Sequence, residues 1–252
     1  MTIATLKGRT ALVTGAAKRI GRAISLALAG DGADVIVHYH RSSNEANALR
    51  TELQALGVNA WTIKADFGNR NERESLMHRA TEVAGSLDIL INSASVFATG
   101  SLDDMTLDDL MRSIEINTWA PFALARAFAA AADKGAIVNI LDTRIADIDL
   151  AHPAYILAKK TLHELTKMMA IEFAPGITVN AVAPGLILPP SGKPDAYLEK
   201  LIPAAPLKRH GRSEDIAGAV LFLVRSDFIT GQTLFVDGGR HLKGYPDGSN
   251  LH

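Results

Sequence analysis

Tyr155 and Lys159 stand four residues apart. A helix turns once in about 3.6 residues, so the two side chains project from one face. A phenol gives up its proton poorly near neutral pH. An ammonium a few ångströms away is expected to lower its pKa by favouring the phenolate, which would turn the phenol into a usable general acid. Asp142, thirteen positions before Tyr155, adds a carboxylate. Alone, Y-x-x-x-K is a weak signal, because a Tyr and a Lys on a solvated helix face give the same spacing. His38 and His40 would face one way on a strand. With no third ligand nearby and no cysteine in the chain, no metal site is expected.

Such groups need a scaffold, and the chain supplies a regular one. Short apolar runs at 10–13, 34–38, 60–64, 87–91, 136–141, 178–182 and 233–236 read as strands. Between them, helical patterns cover 20–29, 43–56, 71–84, 107–132, 154–173 and 213–223, with Ser43 as an N-cap and a kink at Pro121. Strand–helix alternation of this kind predicts an α/β fold: one Rossmann-type, doubly wound parallel sheet of about seven strands, with helices on both faces, across residues 1–252. Ligands of such sheets bind beyond the carboxyl ends of the strands. The stretch at about 185–203, stiffened by Pro189 and Pro190, reads as a substrate loop, and 240–252 as a polar tail.

Composition narrows the classes. At 252 residues and 48% hydrophobic content the chain can bury one large core. A formal net charge of −1 gives no reason to expect a nucleic-acid partner. The first seven residues lack a long apolar core, no apolar run is long enough to span a bilayer, and there are no cysteines. A cytoplasmic protein with no membrane partner is the expectation.

The first strand runs into Thr14-Gly15-Ala16-Ala17-Lys18-Arg19-Ile20-Gly21. Small residues let the backbone approach a pyrophosphate, and a helix start offers free N–H groups. After the second strand, where NAD enzymes commonly keep an acid for the ribose, the sequence has His40-Arg41-Ser42. A guanidinium beside a hydroxyl suits a 2′-phosphate, so NADP(H) is expected over NAD(H).

These residues, with Asn92-Ser93-Ala94-Ser95 and Asn117, make the chain resemble the short-chain dehydrogenase/reductase family from about Arg9 to Gly239. The resemblance implies that Tyr155 is the proton donor and that Lys159 holds the nicotinamide ribose. It implies that Asp66 meets the adenine, that Pro184-Gly185 turns beside the nicotinamide amide, and that Asn117 holds a relay water. Asp66 could instead cap a helix, and Asn117 could be a buried structural amide. Four positions depart from the family's pattern. Arg19 replaces a glycine, Ser93 replaces an asparagine, Ser95 replaces a glycine, and Asp142 replaces a serine that binds a substrate carbonyl. A carboxylate there would repel a developing alkoxide and would suit a ring rich in N–H donors. An Asp that only caps or pairs locally remains the alternative.

With Phe97 and Asp237-Gly238-Gly239-Arg240-His241-Leu242, the chain resembles the pteridine reductase branch, including its dihydromonapterin reductases. That implies a pterin surrounded by Arg19, Ser95, Asp142 and Tyr155 and stacked on Phe97, unless Phe97 is simply a loop aromatic. The expected function is NADPH-dependent reduction of a dihydropterin, with dihydrofolate as a further substrate, by hydride transfer to a ring carbon and protonation of a ring nitrogen. A carbonyl reductase of the same fold is the alternative, and a non-catalytic NADP(H)-binding regulator a remote one. The family resemblance also implies a homotetramer built on helices 107–132 and 154–173.

Overall fold

The computed structural model describes residues 5–190, 192–194 and 196–243. Seven parallel strands lie in the order β3-β2-β1-β4-β5-β6-β7. They are β1 (Thr10–Val13), β2 (Asp34–Tyr39), β3 (Ala60–Lys64), β4 (Ile89–Asn92), β5 (Gly135–Ile140), β6 (Ile177–Pro184) and β7 (Thr233–Val236). The helices are α1 (Arg19–Gly30), α2 (Ser43–Ala55), α3 (Arg70–Ala84), α4 (Leu107–Ile114), α5 (Ala120–Ala131), α6 (Pro153–Glu172), α7 (Ala196–Glu199) and α8 (Ser213–Arg225). The expected parallel, doubly wound fold is the observed one.

Alternation along the strands divides the core. Val35, Val37, Ile89 and Ile91 pack on one face against α1 and α8 residues such as Ile24, Leu28 and Val220. Ile36 and Leu90, between them in sequence, pack on the other face against Leu76, Leu124 and Phe128. Both faces are therefore apolar, as a sheet covered on both sides requires.

Two local expectations change. The cap of α2 is Ser42, because Ser43 already has its place in the helix. The long helix expected at 107–132 is broken before Pro121, by a π-helical turn at Glu115–Trp119. Proline has no N–H, so the Asn117 carbonyl four residues earlier lacks its usual α-helical donor. Pro121 itself sits without strain in the first turn of α5. The π turn is stitched to α6 by Thr118, whose Oγ1 donates to the Ala158 carbonyl at 2.7 Å.

Among the described residues no helix is long and apolar enough to cross a membrane. The polar tail starts with a short turn at Arg240–Leu242; residues 244–252 of it, with Met1 to Ala4 of the N-terminal stretch and 191 and 195 of the substrate loop, lie outside the described residues.

Candidate active site

The carboxyl ends of β1, β2 and β4 meet at the nucleotide loop. Thr14 Oγ1 accepts the backbone N–H groups of both Ser93 (2.9 Å) and Ala94 (3.0 Å), which fastens the end of β4 to the end of β1. Gly15 has φ of +62°, and a Cβ there would come within 2.8 Å of Ala94 Cα. A Cβ on Gly21 would come within 2.3 Å of the Gly15 carbonyl oxygen. Only glycine fits either place, and the backbone is left bare for a phosphate at the start of α1, near Ile20.

Arg19 keeps the backbone that a glycine would have. Its φ is +56°, in the left-handed region that side chains disfavour. Its guanidinium crosses to the substrate loop and donates to the Pro189 carbonyl at 2.7 Å. Lys18 pairs with Glu45 of α2 at 2.5 Å.

His38, set aside above as a ligand, is a framework residue. It is buried, accepts the Gly15 N–H at Nδ1 (3.1 Å), faces the Ala65 carbonyl with Nε2 (3.1 Å) and stacks on Phe67. Burial pushes its pKa down to about 4, so the ring is neutral and the nucleotide loop rests on it.

Beyond His38 lies an open cavity of about 460 Å³ lined by Tyr39, His40, Arg41, Ser43 and Lys64. Ser42, between Arg41 and Ser43 in sequence, holds the N-cap position of α2 without a side-chain capping bond. Lys64 was missed in the sequence, although it stands beside Tyr39 in the parallel register of β2 and β3. Two cations at a helix start fit a 2′-phosphate. His40 approaches Asp66 Oδ2 at 3.4 Å, while Asp66 Oδ1 accepts the Gly68 N–H. Asp66 therefore turns the chain and does not cap α3; that cap is Asn69, which accepts from Asn71 and Glu72.

Asn92 is buried and donates to Asn139 Oδ1 at 2.9 Å, and Asn139 donates to Thr166 Oγ1 at 2.9 Å. Its side chain thus ties β4 through β5 to α6 by Nδ2, while its buried Oδ1 has no hydrogen-bond partner. Asn117 is equally occupied. Its Oδ1 accepts from Ser95 Oγ (2.7 Å) and the Val96 N–H, and its Nδ2 donates to the Val96 carbonyl and Ser113 Oγ. The structural-amide alternative describes this side chain. Any water it held would have to meet the backbone carbonyl that Pro121 leaves without its α-helical donor. At the far end of the cleft, Pro184 closes β6 and the Gly185 N–H donates to the Val236 carbonyl.

Asp142 follows β5 and faces Tyr155, whose hydroxyl donates to Asp142 Oδ2 at 3.2 Å. Asp142 also pairs locally, as its alternative reading has it. Its Oδ1 accepts the Arg144 N–H (2.9 Å) and Nε (3.0 Å), and its Oδ2 accepts Nη2 (3.1 Å). Arg144 was missed in the sequence; the signal was a guanidinium two residues after the acid in a turn. It corrects the repulsion argument, because the carboxylate is not a bare charge. What survives is its character as an acceptor. Thr143, between the two, donates to Asp237, which also receives N–H groups from Gly239 and His241. The Asp237–Leu242 motif thereby anchors the turn that carries Asp142.

Lys159 Nζ donates to the Ile140 carbonyl at 2.7 Å and lies 5.8 Å from the Tyr155 ring centroid. Burial pushes its pKa down to about 8 against the attraction of Asp142. The expected lowering of the Tyr155 pKa is overturned. Burial, and next the charge of Asp142, push the phenol well above its usual value, against a smaller opposing pull from Arg144. Tyr155 stays protonated and is a proton donor held in reserve. Phe97 meets it edge-on with centroids 4.8 Å apart and is 40% exposed, so it borders the cleft and is not core. Among the described residues no group of three or more His, Asp or Glu could hold a metal ion.

This fold and site define an oxidoreductase, and the chain belongs to the short-chain dehydrogenase/reductase family. The family whose sequence model matches residues 15–241 is described as enoyl-(acyl carrier protein) reductase. A 3-oxoacyl-[acyl-carrier-protein] reductase of Synechocystis is 36% identical over 93% of this chain and 97% of its own length. Among solved structures, FolM alternative dihydrofolate reductase 1 from Brucella canis, complexed with NADP, is 30% identical over 98% of this chain and all of that one, with a TM-score of 0.89. A short-chain dehydrogenase from Burkholderia cenocepacia, also with NADP, is 35% identical over 94% and 99%, with a TM-score of 0.88.

Proposed function

We propose that the protein is an NADPH-dependent pteridine reductase that converts a dihydropterin, with dihydrofolate as a further substrate, to the tetrahydro form. The observation that carries this is Asp142, an acceptor-only group aimed at Tyr155 in the place where the family keeps a serine hydroxyl. Its oxygens suit the N–H edge of an aminated ring. The likeness to an NADP-complexed alternative dihydrofolate reductase supports it.

NADP(H) fits the cleft: the bare backbone at Gly15 and Gly21 receives the pyrophosphate, Arg41, Ser42 and Lys64 the 2′-phosphate, and Lys159 the nicotinamide ribose. When bound, the dinucleotide supplies the hydride. The chain's own part is the proton and the alignment. Tyr155, with Asp142 behind it, delivers a proton to the ring nitrogen beside C7 of an oxidised pterin; N5 of a dihydropterin takes its proton from water. Ser95 and Phe97 hold the ring, and Asn117 holds Ser95. The same reading includes a homotetramer. Its support is the exposed Leu107 and Met111 on α4, and Leu157, Met168 and Ile171 on α6.

A 3-oxoacyl or other carbonyl reductase is the second reading. Arg144 favours it by offsetting the charge that would oppose an alkoxide, as do the 3-oxoacyl reductase relatives. Steady-state turnover of a dihydropterin, dihydrofolate and a ketone panel with NADPH decides between them. Turnover of ketones alone would retire the pterin assignment.

A further inference from the structure

Arg144 stands where an aminated ring would have to lie. Its Nε and Nη2 grip the two oxygens of Asp142 at 3.0 and 3.1 Å, a bidentate fork. Its guanidinium carbon sits 5.1 Å from the Phe97 ring centroid and 5.9 Å from that of Tyr155. A flat plate of N–H donors lying against an aromatic ring and a carboxylate also describes the amino-pyrimidine edge of a pterin. The side chain is 16% exposed, so it borders the opening and is not sealed in the core.

We propose that Arg144 is a displaceable internal ligand of Asp142, and that substrate binds by exchanging its own planar donor edge for the guanidinium. The proposal rests on Asp142 being the carboxylate that receives the substrate ring.

Three features make the exchange feasible. The guanidinium has a second carboxylate to keep: Asp149 Oδ2 accepts its Nη1 at 2.7 Å and is also bonded to His152 Nδ1 at 2.9 Å. Burial disfavours a charge on Asp149, but the His152 and Arg144 contacts outweigh it and hold the carboxyl well below the usual range. When the fork lets go, the Arg144 backbone N–H still holds Asp142 Oδ1 at 2.9 Å, so the acid stays aimed. Thr143, fixed to Asp237, keeps the turn in place.

The exchange also selects. A ring with N–H donors restores to Asp142 what the fork gave up. A ketone has no donor to offer and leaves a buried carboxylate short of partners, which is costly. The compensation that would admit ketones is then lost whenever Arg144 swings aside.

The test uses NADP⁺-saturated protein and 2,4-diaminopyrimidine, a planar N–H donor that hydride does not reduce under these conditions. Arg144→Met should bind this probe at least tenfold more tightly than wild type, and adding Asp142→Asn should abolish the gain. Arg144→Lys, which keeps the charge but not the fork, should show a smaller gain. Affinity for NADP⁺ should not change, since Arg144 does not line the basic cavity. Equal or weaker probe binding by Arg144→Met overturns the exchange; should that variant fail to fold, absence of any gain in Arg144→Lys does so. Wild-type turnover of dihydropterin without a gain rejects the exchange and leaves the proposed function standing. A gain without pterin turnover keeps the exchange and rejects the pterin.

Discussion

The Tyr155 hydroxyl donates to Asp142 Oδ2 across 3.2 Å, and this contact couples the acidity of the phenol to a neighbouring negative charge. After burial, Asp142 is the largest influence holding the phenol above its usual value, and Arg144 pulls the other way. Asp142→Asn should therefore lower the Tyr155 pKa, read as phenolate absorbance against a Tyr155→Phe blank. In the same assay series, Tyr155→Phe should reduce kcat for a fully oxidised pterin, the substrate whose ring nitrogen it protonates, by roughly 10²–10⁴-fold, the usual size of a general-acid contribution. A phenol that titrates identically in wild type and Asp142→Asn would mean that the contact does not set its acidity.

Cofactor choice should lie in the cavity at the ends of β2 and β3. Arg41 and Lys64 are solvent-exposed, so their hold on a 2′-phosphate is screened and each contributes about 1 kcal/mol. Arg41→Ala should weaken NADP⁺ binding about five- to tenfold while leaving NAD⁺ nearly unchanged, and Lys64→Ala should act alike. Fluorescence titration at two salt concentrations reads both effects, and the loss should shrink at high salt. Equal use of both dinucleotides by wild type would contradict the assignment.

The buried His38 makes stability depend on acid. Its pKa is about 4 in the fold, against roughly 6.5 in an unfolded chain. Between those values the unfolded state binds the extra proton. The His38 contribution is thus complete above pH 6.5 and is lost as the pH falls toward 4. The full loss is about 3 kcal/mol as an upper bound. Denaturant melts of wild type and His38→Gln across this range should show a slope attributable to His38 that the variant lacks. Because the ring accepts the Gly15 N–H only while neutral, NADP⁺ affinity of the folded protein should hold through that window and fall only as the pH drops through about 4.

The fold was readable because its signals are local. Apolar runs, turns and helix patterns recur in order, and two-residue alternation places Ile36 and Val37 on opposite cores. Most of the cleft was readable because glycine, acid and base positions are fixed by strand ends. What escaped depended on contacts that spacing does not encode. Arg144 lies two residues after Asp142 in sequence, but its reach to Asp149 and over Phe97 exists only once the turn after β5 is folded. The pKa of Tyr155 was misjudged because proximity to Lys159 was weighed without the burial of both groups. Asn92 and Asn117 carry the right letters for the cleft, yet Nδ2 of Asn92 and the whole amide of Asn117 are engaged in holding strands and loops together.

Arg19 separates a backbone requirement from a side-chain function. Its φ of +56° costs about 1 kcal/mol that a glycine would not incur. A glycine would also loosen the unfolded chain, which takes back about half of that relief, so Arg19→Gly should leave Tm within about 3 °C of wild type. Arg19→Ala keeps the strained backbone, so it should be less stable than Arg19→Gly by about 0.5 kcal/mol, the part of the strain that the looser unfolded chain does not offset. Both variants lose the donor to the Pro189 carbonyl, the tie between nucleotide loop and substrate loop. A partly exposed charge-assisted bond of this kind is worth about 1 kcal/mol, so KM for the substrate should rise about five- to tenfold in each. Two variants with matched KM and different stability would separate the strain at position 19 from the tie. Matched stabilities would show that the left-handed backbone there carries no cost.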